Sequence, residues 1–391
     1  METVRYGIIG VGNIGSTHIG NLMQEGNVPN AKVVAMADLK PEKLQRIVEK
    51  YPQAEFALYT SGEELIDKAD VDAVIVCVPH YQHPELCIRA LKKGLHVICE
   101  KPAGVYTKQV KEMVEVAKTA KGLFTMMFNQ RTNCLYRKMR EMIRDGEIGA
   151  IKRISWIITD WYRPQSYYDS GDWRATWAGE GGGVLFNQSP HQLDLLQWVT
   201  GMMPTRVHAF CHFGKWHDIE VEDDVTAYLE YENGATGVFV TSTGDAPGTN
   251  RFEVQGTGGK LVAENGKLLF CKNEIDEREF NRTCTAGFGR PPFETVTVET
   301  DGSNLQHTGI CRNFTNAILG KEPLMVDGKE GINGVILMDA MMLSGWLGKT
   351  VDLPFDDDLY LHILQEKIRN SKVKKTGADT VLDTAGTYNS R

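Results

Sequence analysis

Short apolar runs alternate with stretches of helical periodicity along the first third of the chain. Apolar runs predict strands at residues 4–9, 32–37, 71–78, 94–99 and 123–128. The unbroken apolar character of 71–78 is typical of a strand buried on both faces of a parallel sheet. Helical spacing predicts helices over residues 16–25, 41–51, 61–69, 83–93 and 107–121. This alternation predicts an α/β region with a doubly wound parallel sheet.

The pattern changes near residue 150, where strands follow one another without intervening helices. Strands are predicted at residues 151–159, 206–213, 224–231, 236–243, 251–255 and 260–264. Asn233-Gly234 between two of them is a hairpin signal, so we expect an antiparallel meander in an α+β region. Helices return at residues 309–319 and 331–347. We therefore predict three parts: residues 1–129, residues 130–370, and a flexible tail at 371–391.

Composition and charge narrow the class of protein. The 391 residues are 42% hydrophobic and 24% charged, with a net charge of −8 and no basic stripe, which argues against nucleic-acid binding. No apolar run reaches membrane-spanning length, and the N-terminus enters a strand at once, which leaves no room for a signal peptide. The eight scattered cysteines, with no C-x-x-C, favour free thiols in a reducing cytoplasm.

A glycine-rich turn follows the first predicted strand. Gly10, Gly12 and Gly15 are spaced so that the first makes a tight turn, the second lets the backbone approach a pyrophosphate, and the third lets helix and strand pack closely. Asp38 ends the second strand, where a carboxylate accepts hydrogen bonds from ribose hydroxyls and repels a 2′-phosphate. We expect an NAD site. Lys40 and Lys43 leave NADP as the less favoured alternative.

Lys101 directly follows the predicted strand 94–99, at the edge where ligands bind. An ammonium aimed at the reacting oxygen would stabilise alkoxide character, and a nearby cationic nicotinamide would lower its pKa. The alternative is a surface lysine before Pro102, which is an ordinary turn residue.

A second cluster surrounds a predicted helix start at Ser189-Pro190. His191 would project from the first turn of that helix, with Asn187 just before it. A histidine of near-neutral pKa suits the base that takes a hydroxyl proton, although a capping or core histidine is the commoner case. Asp194 either orients His191 or supports the helix start.

Together these residues resemble the Gfo/Idh/MocA oxidoreductases, named for glucose–fructose oxidoreductase and inositol dehydrogenase. The resemblance runs through the glycine turn, Asp38, the segment 77–83, Glu100-Lys101-Pro102, and the triple glycine with Asn187, His191 and Asp194. It implies a Rossmann domain, then a domain with a large open antiparallel sheet whose outer face often joins subunits, here as a homodimer or homotetramer. It also implies Lys101 and His191 as the catalytic pair, with Pro102 often cis.

The predicted cofactor-binding set combines the turn with positions that the resemblance implies: Gly10, Gly12, Asn13, Ile14, Gly15, Asp38, Val78, Pro79, His80, His83, Glu100, Lys101, Asn129, Trp173 and Arg174. One position departs from the family pattern. Many of its sugar and cyclitol dehydrogenases carry aspartate where this chain has Asn187. Because asparagine brings no charge, we expect it to position substrate rather than relay protons.

Residues 160–174 are dense in aromatic and hydrogen-bonding side chains. Aromatic rings stack on the C–H faces of sugars, whereas an anionic substrate would want more basic residues than Arg131, Arg163 and Arg174 provide. A neutral sugar, glycoside or cyclitol therefore fits best, unless the aromatic residues merely pack a domain interface. The predicted substrate-binding set is Lys101, Arg131, Asp160, Tyr162, Tyr168, Asn187 and His191.

These expectations converge on an NAD-dependent dehydrogenase in which His191 removes a hydroxyl proton and Lys101 holds the oxygen. Two alternatives stay open: a redox-neutral glycosidase that oxidises, eliminates and reduces with retained NAD, and a non-catalytic dinucleotide sensor. His208 and His212 lie on one face of a predicted strand, but strand spacing alone is a weak metal signal, and no metal is predicted.

Overall fold

The first sheet is parallel and six-stranded. The computed structural model describes residues 2–371, and the first sheet contains β1 (Val4–Ile9), β2 (Ala31–Ala37), β3 (Ala57–Tyr59), β4 (Ala73–Val76), β5 (His96–Cys99) and β6 (Phe124–Met126). The order is β3-β2-β1-β4-β5-β6, with every neighbouring pair parallel. This is the Rossmann order, and the predicted doubly wound sheet is confirmed. The three-residue β3 was too short to give a pattern.

Five helices connect these strands: α1 (Asn13–Met23), α2 (Pro41–Lys50), α3 (Gly62–Lys68), α4 (His83–Lys93) and α5 (Thr107–Thr119). Local sequence sets their ends. The Ser61 hydroxyl caps α3 by accepting from the Glu64 amide at 3.2 Å, and Gly94 ends α4 in the left-handed conformation, with φ 88°. All four residues of β4 are fully buried, because helices cover both faces of the sheet.

The second sheet has nine strands. They are β7 (Ile151–Ile158), β8 (Arg206–Phe213), β9 (Glu222–Glu230), β10 (Thr236–Ser242), β11 (Asn250–Gly256), β12 (Gly259–Glu264), β13 (Lys267–Asn273), β14 (Phe293–Thr297) and β15 (Val351–Asp352). Their order is β14-β13-β12-β11-β7-β10-β9-β8-β15. The open sheet is confirmed, but the simple meander is wrong. β7 is inserted between β10 and β11 and pairs in parallel with β10. Period-two alternation specifies a strand and its buried face, not its neighbour.

The remaining helices are α6 (Cys134–Arg144), α7 (Gln165–Tyr168), α8 (Val184–Asn187), α9 (Pro190–Thr200), α10 (Glu277–Thr283), α11 (Gln306–Ile318), α12 (Gly331–Leu347) and α13 (Asp357–Asn370). Helices α6, α8 and α12 pack on one face of the second sheet, and α12 also contacts α5 and α9. Because α12 is packed between the two sheets' layers, it is apolar nearly all round.

The opposite face of the second sheet is exposed. Phe210 on β8 is 61% exposed and Tyr228 on β9 is 43% exposed, with Val238 and Ile157 on the neighbouring strands also open. Tyr228 lies opposite Val238 in the register. This face is therefore a continuous surface carrying large apolar side chains.

The chain passes from the first sheet to the second between β6 and β7, and the predicted boundary at 129/130 falls in the 3-10 helix Asn129–Thr132. All eight cysteines are free. Within residues 2–371, no helix combines the length and apolar character needed to cross a membrane. The predicted tail, apart from Ser371, lies outside the described residues.

Candidate active site

A cavity of about 750 Å³ opens at the carboxyl ends of β1, β2, β4 and β5 and reaches the loops before α9. This is the edge at which a doubly wound sheet binds its ligand. The first region supplies the glycine turn and the residues after each strand. The second region supplies side chains from residues 161–191, and α11 adds His307.

The glycine turn has the geometry that a dinucleotide requires. Gly10 has φ +91°, and a Cβ there would lie 2.5 Å from the Cys77 carbonyl oxygen. A Cβ on Gly15 would lie 2.0 Å from the Gly10 oxygen, so Gly15 serves close packing and does not line the cavity. A Cβ on Gly12 would meet no atom within 4 Å, so the backbone there faces open space. Beside it, Asn13 and Ile14 line the cavity at the α1 N-terminus, where backbone N–H groups bind phosphates.

Asp38 stands at the far end of the cavity, at the end of β2. Its Oδ2 accepts from the Val11 amide at 2.8 Å and its Oδ1 from the Lys40 amide at 2.9 Å. The carboxylate is thereby fixed beside the glycine turn, where a ribose would lie. Lys40, Lys43 and Arg46 also line this end. These donors and acceptors fit the adenosine half of a dinucleotide.

Lys101 follows β5 and precedes a cis peptide bond to Pro102, as the resemblance implies. Its Nζ donates to the backbone oxygen of Asn187 at 2.8 Å, which joins the two regions across the cavity. Burial lowers the pKa of Lys101; the neighbouring arginines act in the same direction, whereas Glu100 and Glu180 oppose it.

Glu100 lies beneath Lys101 in a buried cluster. Its Oε1 is 2.7 Å from His18 Nε2. Although burial raises the pKa of Glu100, the His18 contact prevails and lowers it to about 2. Burial has the opposite effect on His18 and lowers its pKa, but contacts with Cys311 and Glu100 raise that pKa to about 10. The His307 ring packs edge-on against His18 at 5.5 Å, and burial lowers its pKa to about 4.

His191 projects from the first turn of α9 and lines the cavity, with Pro190 at the helix start as predicted. Its buried Nδ1 has no hydrogen-bond partner in the described part of the chain. Burial, and then the charge of Lys101, lower the pKa of His191 well below its ordinary value. The ring is therefore neutral near pH 7 and competent to accept a proton.

Two more histidines hold the strand ends together. The His83 ring lies 2.7 Å from both the Pro102 and Val78 carbonyl oxygens, and so bridges the turns after β4 and β5. His80 contacts the Glu180 carbonyl at 3.2 Å and the Trp173 ring at 5.5 Å between centroids. Both line the cavity with Val78 and Pro79. Burial lowers the pKa of each histidine.

Asn129 and Arg174 complete the lining that was predicted for the cofactor. Asn129 is buried and donates to Gln306 Oε1 at 2.5 Å, while its own Oδ1 has no partner in residues 2–371. An orphaned carbonyl oxygen in the cavity wall fits a donor on a bound ligand, such as the carboxamide of nicotinamide. The Arg174 guanidinium stacks on Trp173 and Tyr167, 4.6 and 4.5 Å from their ring centroids.

Asn187 ends the short helix α8 rather than lying in a loop. Its Oδ1 accepts from the Tyr167 hydroxyl at 3.3 Å, and its Nδ2 donates to Glu180. The same hydroxyl accepts from Arg174 Nη1 at 2.8 Å and from Gln188 Nε2 at 3.2 Å. The predicted positioning residue is therefore held on both sides by neighbouring side chains.

Arg131 does not line the cavity, so its prediction as a substrate ligand is wrong. It is 1% exposed, and its guanidinium contacts both carboxylate oxygens of Asp194, at 2.8 and 2.6 Å, and Glu330 at 2.7 Å. Phe128 and Trp198 stack against it. Of the two interpretations of Asp194, the structure favours support of α9, because its carboxylate is taken by Arg131.

Tyr168 and Asp160 also lie outside the lining. Tyr168 is 2% exposed and its hydroxyl shares a 2.7 Å hydrogen bond with Thr243, so it belongs to the core. Its neighbour Tyr167 lines the cavity instead. Adjacent residues of a helical turn point in directions about 100° apart, and the sequence does not show which tyrosine faces inward. Tyr162 lines the cavity as predicted and is half-exposed.

Four residues of the site escape prediction from the sequence: Tyr167, Glu180, Gln188 and His307. The sequence does contain a signal for Glu180, because this residue directly precedes the triple glycine. A charged residue beside such a closely packed segment is a candidate for burial with hydrogen-bond partners. The sequence contains no such signal for His307, because its helix lies far along the chain from the other site residues. No cluster of three or more His, Cys, Asp or Glu side chains within residues 2–371 could hold a metal ion. His208 instead contacts Thr350 at 3.1 Å on the outer face of the sheet.

Comparisons with known proteins agree with this geometry. Residues 4–128 match the family described as "Oxidoreductase family, NAD-binding Rossmann fold", and residues 136–262 match the GFO/IDH/MocA C-terminal domain. The myo-inositol 2-dehydrogenase of Thermotoga maritima is 29% identical over 269 residues, which are 67% of this chain and 75% of that protein. The inositol 2-dehydrogenase of Rhizobium meliloti is 25% identical over 350 residues, 88% of this chain and 97% of that protein.

Among solved structures, the WlbA dehydrogenase from Chromobacterium violaceum, in complex with NADH and UDP-GlcNAcA, has a TM-score of 0.78 at 26% identity. The match covers 91% of this chain and 97% of that one. Two family matches in tandem, and a neighbour that spans both sheets, account for nearly the whole described chain. The protein is therefore an NAD-binding oxidoreductase that belongs to the Gfo/Idh/MocA family.

Proposed function

We propose that this enzyme transfers a hydride between a secondary ring hydroxyl of a neutral sugar, glycoside or cyclitol and nicotinamide. One observation carries the proposal. The Lys101 ammonium, held by the Asn187 carbonyl, and the neutral His191 ring line the same cavity as the glycine turn and Asp38. A proton acceptor and an oxygen-stabilising cation are the two groups that alcohol oxidation requires.

The residues divide the work as follows. His191 accepts the hydroxyl proton, which its lowered pKa allows because the ring is neutral before reaction. Lys101 donates a hydrogen bond to the reacting oxygen and stabilises its developing negative charge. Asn187 holds a substrate hydroxyl beside them. When bound, NAD supplies the hydride acceptor at C4 of its nicotinamide.

The charges of the cavity support a neutral substrate. Arg131, one of the three candidate ligands for an anion, is withdrawn into its pair with Asp194. Arg163 and Arg174 are both stacked on Tyr167, at 5.1 and 4.5 Å. Trp161 and Tyr162 give the cavity aromatic faces, and such faces suit the C–H surface of a ring polyol.

We also propose that the exposed face of the second sheet joins subunits into a homodimer or homotetramer in a reducing compartment such as the cytoplasm. Phe210, Tyr228, Val238 and Ile157 form this face, and an apolar patch of this kind favours burial. Light scattering after gel filtration tests the assembly. A multimer that Phe210→Glu with Tyr228→Glu converts to monomer supports it, and a wild-type monomer at micromolar concentration contradicts it.

The activity is tested by NADH absorbance at mildly alkaline pH with a panel of neutral sugars, glycosides and inositols. Lys101→Ala is compared with Lys92→Ala, in which a lysine on the exposed surface of α4 is removed. We expect net NADH that is lost in the first variant and retained in the second. Wild-type protein that binds NAD but forms no NADH contradicts the dehydrogenase. Release of aglycone would then identify the redox-neutral glycosidase, and its absence the sensor.

A further inference from the structure

Glu180 is a buried carboxylate behind the cavity wall. It is 2% exposed and does not line the cavity. Its Oε2 accepts from the Ala175 amide at 2.6 Å, and its Oε1 accepts from Asn187 Nδ2. Hydrogen bonds from two N–H groups favour the ionised form of a carboxyl group, which only accepts.

The hydrogen bonds that lead to Glu180 run in one direction. A guanidinium only donates, so Arg174 donates a hydrogen bond to the Tyr167 hydroxyl. The hydroxyl in turn donates its own proton to Asn187 Oδ1. A carboxylate only accepts, so Asn187 must turn its NH2 group to Glu180. The chain from Arg174 through Tyr167 and Asn187 to Glu180 therefore has a fixed polarity.

The direction of these hydrogen bonds determines which polar groups of Asn187 remain available to a substrate. Asn187 lines the cavity, with one N–H of its amide donated to Glu180 and one lone pair of its oxygen occupied by the Tyr167 hydroxyl. One N–H and one oxygen lone pair of the amide therefore remain for a substrate group. The backbone of the same residue holds Lys101. The group that Asn187 contacts thus lies close to the hydroxyl held by Lys101.

Resting on the dehydrogenase proposal, we propose that Glu180 is a positioning residue that fixes the Asn187 amide, so that its remaining N–H and oxygen lone pair together select a free hydroxyl neighbouring the one oxidised. A hydroxyl at that position can pair with both remaining groups of the amide, whereas an ether or a ketone can only accept and a hydrogen pairs with neither. Sites built to bond a substrate hydroxyl reject analogues that lack it, because the buried polar group is left unpaired.

The charge of Glu180 offers a readout that needs no substrate. Lys101 is surrounded by the carboxylates of Glu100 and Glu180, the cations Arg163 and Arg174, and the histidines His80, His83, His191 and His307. Burial lowers the pKa of each of these four histidines, which disfavours their charged form. Glu180 raises the pKa of Lys101, and its loss should lower that pKa further.

The first experiment measures the pH dependence of reductive methylation at Lys101 by mass spectrometry, in wild type, Glu180→Gln and the control Glu220→Gln. Glu220 holds the nearby Trp177 amide at 2.8 Å by the same kind of bond. We expect the labelling midpoint to fall by roughly one pH unit in Glu180→Gln and to stay unchanged in the control. An unchanged midpoint in Glu180→Gln overturns the proposal, whether or not the enzyme proves to be a dehydrogenase.

The second experiment uses the polyol that forms NADH most efficiently and its analogues deoxygenated or O-methylated beside the oxidised carbon. We expect kcat/KM of wild type to favour the parent by about 100-fold. In Glu180→Gln the preference should fall to a few-fold, mainly through KM, because a glutamine, which both donates and accepts, no longer fixes the Asn187 amide in one orientation. An undiminished preference overturns the proposal, whereas failure of every polyol overturns only the dehydrogenase assignment.

The reciprocal swap guards against a folding defect. In Glu180→Gln with Asn187→Asp, the hydrogen bond between the two residues is kept, but the carboxylate now stands at 187 and accepts only. We expect the preference for the free hydroxyl to return to within a few-fold of wild type. A double variant that folds, reacts and still fails to discriminate contradicts the role assigned to Glu180.

Discussion

The two ends of the cavity are built in different ways. At the cofactor end, one strand–turn–helix unit supplies Gly10, Gly12 and Gly15, and a dinucleotide there would meet backbone atoms. At the substrate end, side chains from separate segments hold one another, as Lys101 is held by Asn187 from 86 positions away. The first construction depends on the absence of side chains, whereas the second depends on the identity of each one.

This difference has a consequence for substitution. A backbone site fails when any atom is added, but it tolerates most changes elsewhere. The substrate end keeps its geometry only while donors and acceptors match along the chain from Arg174 to Glu180. We therefore expect the cofactor to be a fixed property of this fold and the substrate to change with few substitutions.

The largest expected effect is a loss of stability on replacing Arg131. It tests whether this residue serves the fold or one of the two ends of the cavity. Arg131→Met leaves Asp194 buried without its partner and should reduce the free energy of unfolding by about 3–5 kcal/mol. Arg131→Met with Asp194→Leu should recover most of that loss, because an apolar pair needs no desolvation of charge. Urea denaturation measures both. A stable Arg131→Met protein with a raised KM would instead show that Arg131 contacts the substrate.

The next effect separates packing from ligand contact within the glycine turn. Gly15→Ala places a Cβ 2.0 Å from a backbone oxygen and should destabilise the fold by about 1–3 kcal/mol. Gly12→Ala meets no protein atom, so thermal stability should hold while the Kd for NAD rises at least tenfold, about 1.4 kcal/mol. Equal NAD affinity in wild type and Gly12→Ala would contradict the pyrophosphate contact.

A smaller effect concerns the choice of cofactor. Asp38→Asn removes the charge that repels a 2′-phosphate and weakens the bonds to the Val11 and Lys40 amides. We expect the ratio of NADP to NAD dissociation constants, measured by calorimetry, to fall by about tenfold. In the Asp38→Asn background, Lys43→Ala should reverse the gain for NADP. A ratio that stays constant would show that Asp38 does not select the cofactor.

The smallest effect is a pH dependence of stability at the junction of the two ends. The lowered pKa of Glu100, about 2, gives stability that is present above pH 4.5 and lost as the pH falls. The raised pKa of His18, about 10, gives stability that is present below pH 6.5 and lost as the pH rises toward 10. Melting temperature should therefore be highest between these limits.

His18→Gln sharpens that prediction. The variant lacks the group that titrates on the alkaline side, so its melting temperature should be lower near pH 6 and should decline less between pH 6.5 and 10. We expect the fall in melting temperature between pH 6.5 and pH 10 to be smaller in the variant by about 2–4 °C. Identical slopes in wild type and variant would show that the pair does not govern alkaline stability.

The places of the glycine turn and Asp38 in the fold could be predicted from the sequence. Gly10, Gly12 and Gly15 lie in one turn, and strand periodicity placed Asp38 at the end of β2, because both are local properties of the chain. The alternation of strands and helices indicated a doubly wound sheet, but it did not reveal the three-residue β3.

The substrate end could be predicted only in part. The sequence indicated that aromatic and polar residues of 160–174 face a ligand, and the structure brings Tyr162, Trp173 and Arg174 there. It did not distinguish Tyr167 from Tyr168, nor did it show that Arg131 pairs with Asp194. These choices depend on which distant side chains meet, and no periodicity reports that.

The most direct test of the account compares hydride transfer with cofactor binding in Lys101→Met. Lys101 is where the two ends join, and we expect its role in the reaction to outweigh the cofactor contact that was also predicted for it. Single-turnover NADH formation should fall by at least about 10²–10³-fold, while the Kd for NAD stays within about threefold of wild type. A parallel loss of both, or an unchanged rate, would contradict the division of the cavity into a cofactor end and a reacting end.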